Sequence, residues 1–188
     1  MDRRELLKMI TVLTGSAFIG GELFLTGCKN EPAIGGASFN ADDVAFLDEV
    51  ADTILPTTSS PGAKTAKVGQ FMTVMVNDCY TEKDQKIFHE GIGKLNEASK
   101  TANKKSFMES TPDERTALLT TIDKEAKEYQ KSKKADDPTH YFTQMKQLTL
   151  LGYFTSKEGA TQALRYVAVP GKYEGCIDYK KGDKAWAT

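Results

Sequence analysis

Histidine, cysteine and tryptophan are scarce in this chain. Its 188 residues include two histidines, three cysteines and one tryptophan, too few to furnish most multi-ligand metal sites or haem attachments. His89 and His140 have no CxxCH, HExxH or mixed His/Cys cluster around them, so neither a covalent haem nor a zinc site is supported. An excess of one charge is missing too. Lysine and arginine number 25 against 26 aspartates and glutamates, a net charge of -1, which leaves no electrostatic footprint for nucleic acid. Phosphate-binding glycine loops are absent: Gly35-Gly36 and Gly91-Ile92-Gly93 are sparse and follow no strand. With 39% hydrophobic residues and mean hydropathy -0.44, the chain is too apolar for disorder and suits one soluble domain with a short appendage.

A run long and apolar enough to span a membrane is also wanting. The stretch after Lys8 is interrupted by Gly15, Gly20, Gly21 and the charged Glu22, whereas a spanning helix needs about 20 mostly apolar residues. Arg3-Arg4 followed by Leu6-Leu7-Lys8 instead resembles the twin-arginine export signal, whose route carries folded proteins; an amphipathic N-terminal helix is the plainer alternative. Leu25-Thr26-Gly27-Cys28 resembles a lipobox, in which the cysteine is acylated and becomes the mature N-terminus. On this reading residues 1–27 are a signal peptide, Cys28 is a lipid anchor, and residues 28–39, with Pro32, Gly35, Gly36 and Ser38, form a flexible tether.

From residue 40 to 188 the pattern is helical. Asn40, with Asp43 three positions on, predicts the cap of a helix whose apolar face is Val44, Phe46, Leu47, Val50, Ala51, Ile54 and Leu55, closed at Pro56. A turn containing Pro61-Gly62 leads to a second run, Val68, Phe71, Met72, Val74, Met75 and Val76. Thr81 and Asp84 predict the start of a third helix, weakened by Gly91 and Gly93. Thr111-Pro112-Asp113-Glu114 predicts a capping box with proline at the first helical position, and Asp137-Pro138 predicts the opening of another helix through Tyr141, Phe142, Met145, Leu148, Leu151 and Tyr153. A short sixth segment follows Ser156. No strand alternation or solenoid-length repeat recurs, so the fold class is all-α: one domain of five to six helices with an irregular C-terminal tail that Pro170-Gly171 keeps from being helical.

The remaining polar residues have plain structural readings. His89 and His140 are expected on a helix surface or as caps, and the acidic pairs Asp42-Asp43 and Asp136-Asp137 at helix starts. Met72, Met75, Met108 and Met145 are expected in the core. Cys79 and Cys176 either bridge each other, stay buried and reduced, or pair with another chain. A bridge would close a loop worth ~4.7 kcal/mol for about 100 residues in the chain-entropy model. No catalytic residue, metal ligand or cofactor-binding residue stands out.

Several segments together are similar to a known family. Ala51-Asp52-Thr53-Ile54-Leu55-Pro56-Thr57, Pro61-Gly62-Ala63, Val68-Gly69-Gln70-Phe71, Leu151-Gly152-Tyr153-Phe154-Thr155-Ser156, and the ending Tyr166, Pro170-Gly171-Lys172-Tyr173-Glu174-Gly175-Cys176 and Ala185-Trp186 resemble the gluconate 2-dehydrogenase subunit 3 family over residues 39–186. The resemblance implies a non-catalytic accessory subunit of a periplasmic sugar or sugar-acid dehydrogenase. Its large partner would be an FAD-bearing flavoprotein of the glucose-methanol-choline type that passes electrons to a cytochrome c or the quinone pool. The small subunit, alone in carrying the twin-arginine signal, would assist maturation and export. The lipobox departs from the simplest family pattern, in which the signal is cut without lipidation. Under the same resemblance Tyr173, Cys176 and Trp186 would lie at the partner interface. The alternative is a free-standing lipid-anchored envelope protein; an electron carrier would need haem or iron-sulfur ligands that are scarce here.

Overall fold

The computed structural model describes residues 38–169, 171–172 and 174–187. Five α-helices run Ala41–Ile54 (α1), Val68–Cys79 (α2), Glu82–Asn103 (α3), Pro112–Ser132 (α4) and Tyr141–Thr155 (α5), followed by one π-helical turn at Gly159–Ala163, and there is no strand among the described residues. The all-α expectation holds. Arg3, Arg4, Cys28 and Tyr173 lie outside the described residues.

Local capping chemistry places most helix starts. The Asn40 side chain accepts the Asp42 and Asp43 amides at 2.7 and 3.0 Å, and Asp43 accepts the Asn40 amide at 3.1 Å, satisfying donors that the first turn otherwise leaves free. Thr111 and Glu114 form the reciprocal box that opens α4 with Pro112 behind the cap. Helix α5 begins later than the sequence predicts. The Tyr129 hydroxyl donates to the Pro138 carbonyl at 2.9 Å, occupying the acceptor that a helix begun at Pro138 would use. His140 caps instead, its Nδ1 accepting the Phe142 amide at 3.2 Å. Asp137 correspondingly lies in the preceding turn, where it accepts the Lys134 amide, and Asp136 is exposed rather than at a helix start.

The core joins Phe46, Leu47, Val50, Met72, Val76, Phe88, Ile92, Leu95, Phe107, Phe142 and Met145, all 2% exposed or less. Helix α5 packs on each of the other four. Glycines permit close approaches between helices. A Cβ on Gly91 would fall 2.5 Å from Tyr141 Cβ, and one on Gly69 would fall 2.6 Å from the Val44 carbonyl oxygen. Gly91 therefore seats α3 on α5 rather than breaking α3, which runs unbroken through it.

Three side chains depart from expectation. His89 is buried, not on the surface, and its ring stacks on Phe39 with centroids 4.1 Å apart. Phe39, placed by the sequence in the tether, thus already packs against the core. Met108 is exposed instead of joining the core, because in the turn between α3 and α4 its neighbour Phe107 is the residue that points inward.

Candidate partner interface

Helix α5 is apolar on two sides. Phe142, Met145, Leu148, Thr149, Gly152 and Tyr153 face inward and are buried, whereas Leu150, Leu151 and Phe154 are 39, 46 and 38% exposed. Spacings of three and four residues make those three neighbours on the outer surface of one helix. Two contacts fix how that surface is presented. A Cβ on Gly152 would fall 2.5 Å from the Phe71 ring, so α2 and α5 touch closely there, and the Tyr153 hydroxyl donates to the Pro61 carbonyl at 2.6 Å. The segments around residues 51–57, 61–63, 68–71 and 151–156, distant in sequence, therefore meet at one corner. Thr57 Oγ1 accepts the Gly62 amide at 3.0 Å to shape its turn.

The C-terminal segment adds a second apolar surface. Tyr166, Val167, Val169, Ile177, Tyr179 and Trp186 are all exposed, Val169 at 82% and Tyr179 at 76%. Six exposed apolar side chains within one short segment make it a candidate binding surface. Trp186 is not free for a partner on both faces, since the Arg165 guanidinium lies 3.8 Å from its ring centroid. Cys79 and Cys176 are both exposed free thiols, so the bridge between them is not formed.

The titratable clusters have structural employment. Asp123 accepts Lys127 and Lys146, each at 2.7 Å, and the two lysine hydrogen bonds hold its carboxyl below the usual carboxylate range. Grooves of about 230 and 270 Å³ flank this ion pair, the first among α1, α4 and α5 and the second between α4 and α5, where Leu150 of the outer face lines it. An aspartate ionised and doubly paired is poorly suited to proton transfer near neutrality. His140 stacks on Tyr141 at 4.5 Å, and burial pushes the Tyr141 phenol up to about 12. Among the described residues there is no group of three or more His, Cys, Asp or Glu side chains that could hold a metal ion, and no helix is long and apolar enough to cross a membrane.

A family model described as gluconate 2-dehydrogenase subunit 3 matches residues 41–171. The chain belongs to the gluconate 2-dehydrogenase subunit 3 family. No curated protein and no solved structure matches it. The family name makes this chain a subunit of a multi-subunit dehydrogenase, a role that suits a fold with uncovered apolar surfaces. The match takes in the whole corner built by Pro61, Gly69, Gly152 and Tyr153, and ends at Gly171. The stretch 172–186, including Cys176 and Trp186, lies beyond it. Sequence reading missed Arg165 and the outer face of α5. The uninterrupted Leu148-Thr149-Leu150-Leu151-Gly152-Tyr153-Phe154 run, with no polar face, was the available signal for the latter.

Proposed function

We propose that this chain is the non-catalytic accessory subunit of an FAD-dependent gluconate or sugar dehydrogenase complex. Its partner is a large flavoprotein of the glucose-methanol-choline type, with a cytochrome c as a further member. The observation that carries the reading is the pairing of family membership with two apolar surfaces that none of the described residues covers, the outer face of α5 and the C-terminal segment. The flavin belongs to the partner. A flavoprotein that acquires FAD in the cytoplasm must cross the membrane already folded, and the Arg3-Arg4 signal fits a subunit that escorts it by the route for folded cargo. Acylation at Cys28 would then hold the complex at the periplasmic side of a bacterial membrane, since each buried methylene contributes about 0.8 kcal/mol.

Purification of the tagged full chain from its host in mild detergent tests this. A flavin-bearing partner, visible as yellow colour and a second large polypeptide, is the expected result. Recovery of the chain as a stable monomer without any flavoprotein would overturn the reading in favour of a free-standing lipoprotein.

A further inference from the structure

Beyond the π-helical turn, the chain leaves the body at Arg165 and returns to it at Trp186. The Arg165 amide donates to the Ala185 carbonyl at 2.8 Å and the Ala187 amide donates to the Arg165 carbonyl at 3.0 Å, forming a single parallel bridge between Arg165 and Trp186. The Lys184 ammonium donates to the Gln162 carbonyl beside it. The guanidinium sits 3.8 Å from the indole centroid, and its Nε is buried without an acceptor, so the ring face is what holds the cation. Between these fastened ends the described apolar residues Tyr166, Val167, Val169, Ile177 and Tyr179 are exposed. A connection of this length without secondary structure is uncommon in a compact domain and is usually either functional or a linker; fastening at both ends favours the former. Here the base is built while the contents are left uncovered.

We propose that Arg165 and Trp186 form a clasp that presents the apolar residues between them, as a closed loop, to the dehydrogenase partner subunit. Arg165 and the Trp186 face it covers position the loop rather than touch the partner. The identity of the partner rests on the function proposed above. Its class follows from the loop's chemistry. Two of the exposed side chains, Tyr166 and Tyr179, are aromatic, the class that protein interfaces are enriched in. Lys172, Lys180, Lys181 and Lys184 are nearly balanced by Glu174, Asp178 and Asp183, and Lys172 is paired with Glu174 at 2.6 Å. An anionic membrane surface would call for a basic excess. Closing the loop before docking removes ordering entropy from the binding step.

Trp186 is the only tryptophan in the chain, so its fluorescence in the purified full-length protein reads the clasp directly. With Trp186 46% exposed in the clasp, Arg165→Ala should raise acrylamide quenching about twofold by freeing the shielded face, while Arg165→Lys gives an intermediate value. Equal quenching in wild type and Arg165→Ala would overturn the clasp. In co-purification with the flavoprotein, Arg165→Ala should weaken retention about tenfold. Val169→Asp should weaken it with quenching unchanged, as a contact residue would. Loss of the clasp with undiminished retention would overturn its positioning role. A wild-type chain that retains no flavoprotein would overturn the subunit reading and the loop's assigned partner together, and the quenching comparison would still decide the clasp on its own.

Discussion

Glu49 ties three parts of the chain together. Its carboxylate on α1 accepts both Lys64 from the following loop and Arg115 from α4. Arg115 in turn donates to the Phe107 and Met108 carbonyls at 2.9 and 2.7 Å and lies over the buried Phe107 ring. Burial alone would raise the Glu49 pKa, but the hydrogen bond and charge of Lys64, with Arg115, bring it below the usual value. The two side chains are only 16 and 14% exposed, so Glu49→Gln strands a largely buried guanidinium and should cost about 3 kcal/mol, read as a lower midpoint in urea. A loss under about 0.5 kcal/mol would mean that the pair behaves as a solvated one. The histidines set a second dependence. Burial depresses His89 against the charge of Asp43, and depresses His140 with Lys94 against Glu125. Because the unfolded chain protonates first, their contribution to stability is complete above about pH 7.5 and is lost as pH falls through the ordinary histidine value toward the depressed folded one. His140 also caps through Nδ1, which protonation would block. Thermal melts at pH 7.5 and 5.5 should show lower stability in acid, and His140→Asn, which keeps a capping acceptor but does not titrate, should narrow the difference. An undiminished difference in that variant would assign the effect elsewhere.

At the scale of elements, the starts of α1, α3 and α4 were legible because capping involves residues within four positions of each other: Asn40 with Asp43, Thr81 with Asp84, Thr111 with Glu114. The start of α5 was not legible, since it depends on the Tyr129 hydroxyl reaching the Pro138 carbonyl from another helix. The burial of His89 under Phe39 and the Glu49–Arg115 pair are likewise products of packing that no local spacing announces. Helix α5 illustrates the same divide. Its apolar composition was plain in the sequence, but only its contact with all four other helices shows which residues the core consumes and which it leaves. Leu150, which lines the groove beside Asp123, and the pair Leu151 and Phe154 are the remainder. Exchanging both, Leu151→Lys with Phe154→Glu, should alter stability by less than about 0.5 kcal/mol per site, as for surface positions generally, while abolishing retention of the flavoprotein. The inward neighbour behaves oppositely: Gly152→Ala drives a methyl into the Phe71 ring and should cost about 1–3 kcal/mol by overpacking. Denaturation midpoints and co-purification measured on the same preparations separate a docking face from a merely tolerant one.

For the whole molecule, the domain and its leading segment have different jobs, and mutations can pull them apart. The described body supplies a packed core with apolar surfaces to spare; under the function proposed above, Arg3, Arg4 and Cys28 would supply the route and the anchor. If the arginine pair is read by a pathway for folded cargo and the flavoprotein crosses only as this chain's passenger, Arg3→Lys with Arg4→Lys should strand both in the cytoplasm, folded and flavin-loaded. Fractionation with flavin fluorescence checks this, and periplasmic flavoprotein in that variant would show that the partner carries its own address. Cys28→Ala asks a separate question. A single acyl chain binds a membrane only marginally, and stable anchoring needs a second one or another membrane contact. Removing the acylated cysteine should therefore release the complex into the soluble periplasmic fraction with export intact. Retention on the membrane in the Cys28→Ala variant would move the anchor to another subunit, and retention that disappears when Leu151 and Phe154 are also replaced would show that this chain is held there through its partner rather than through lipid.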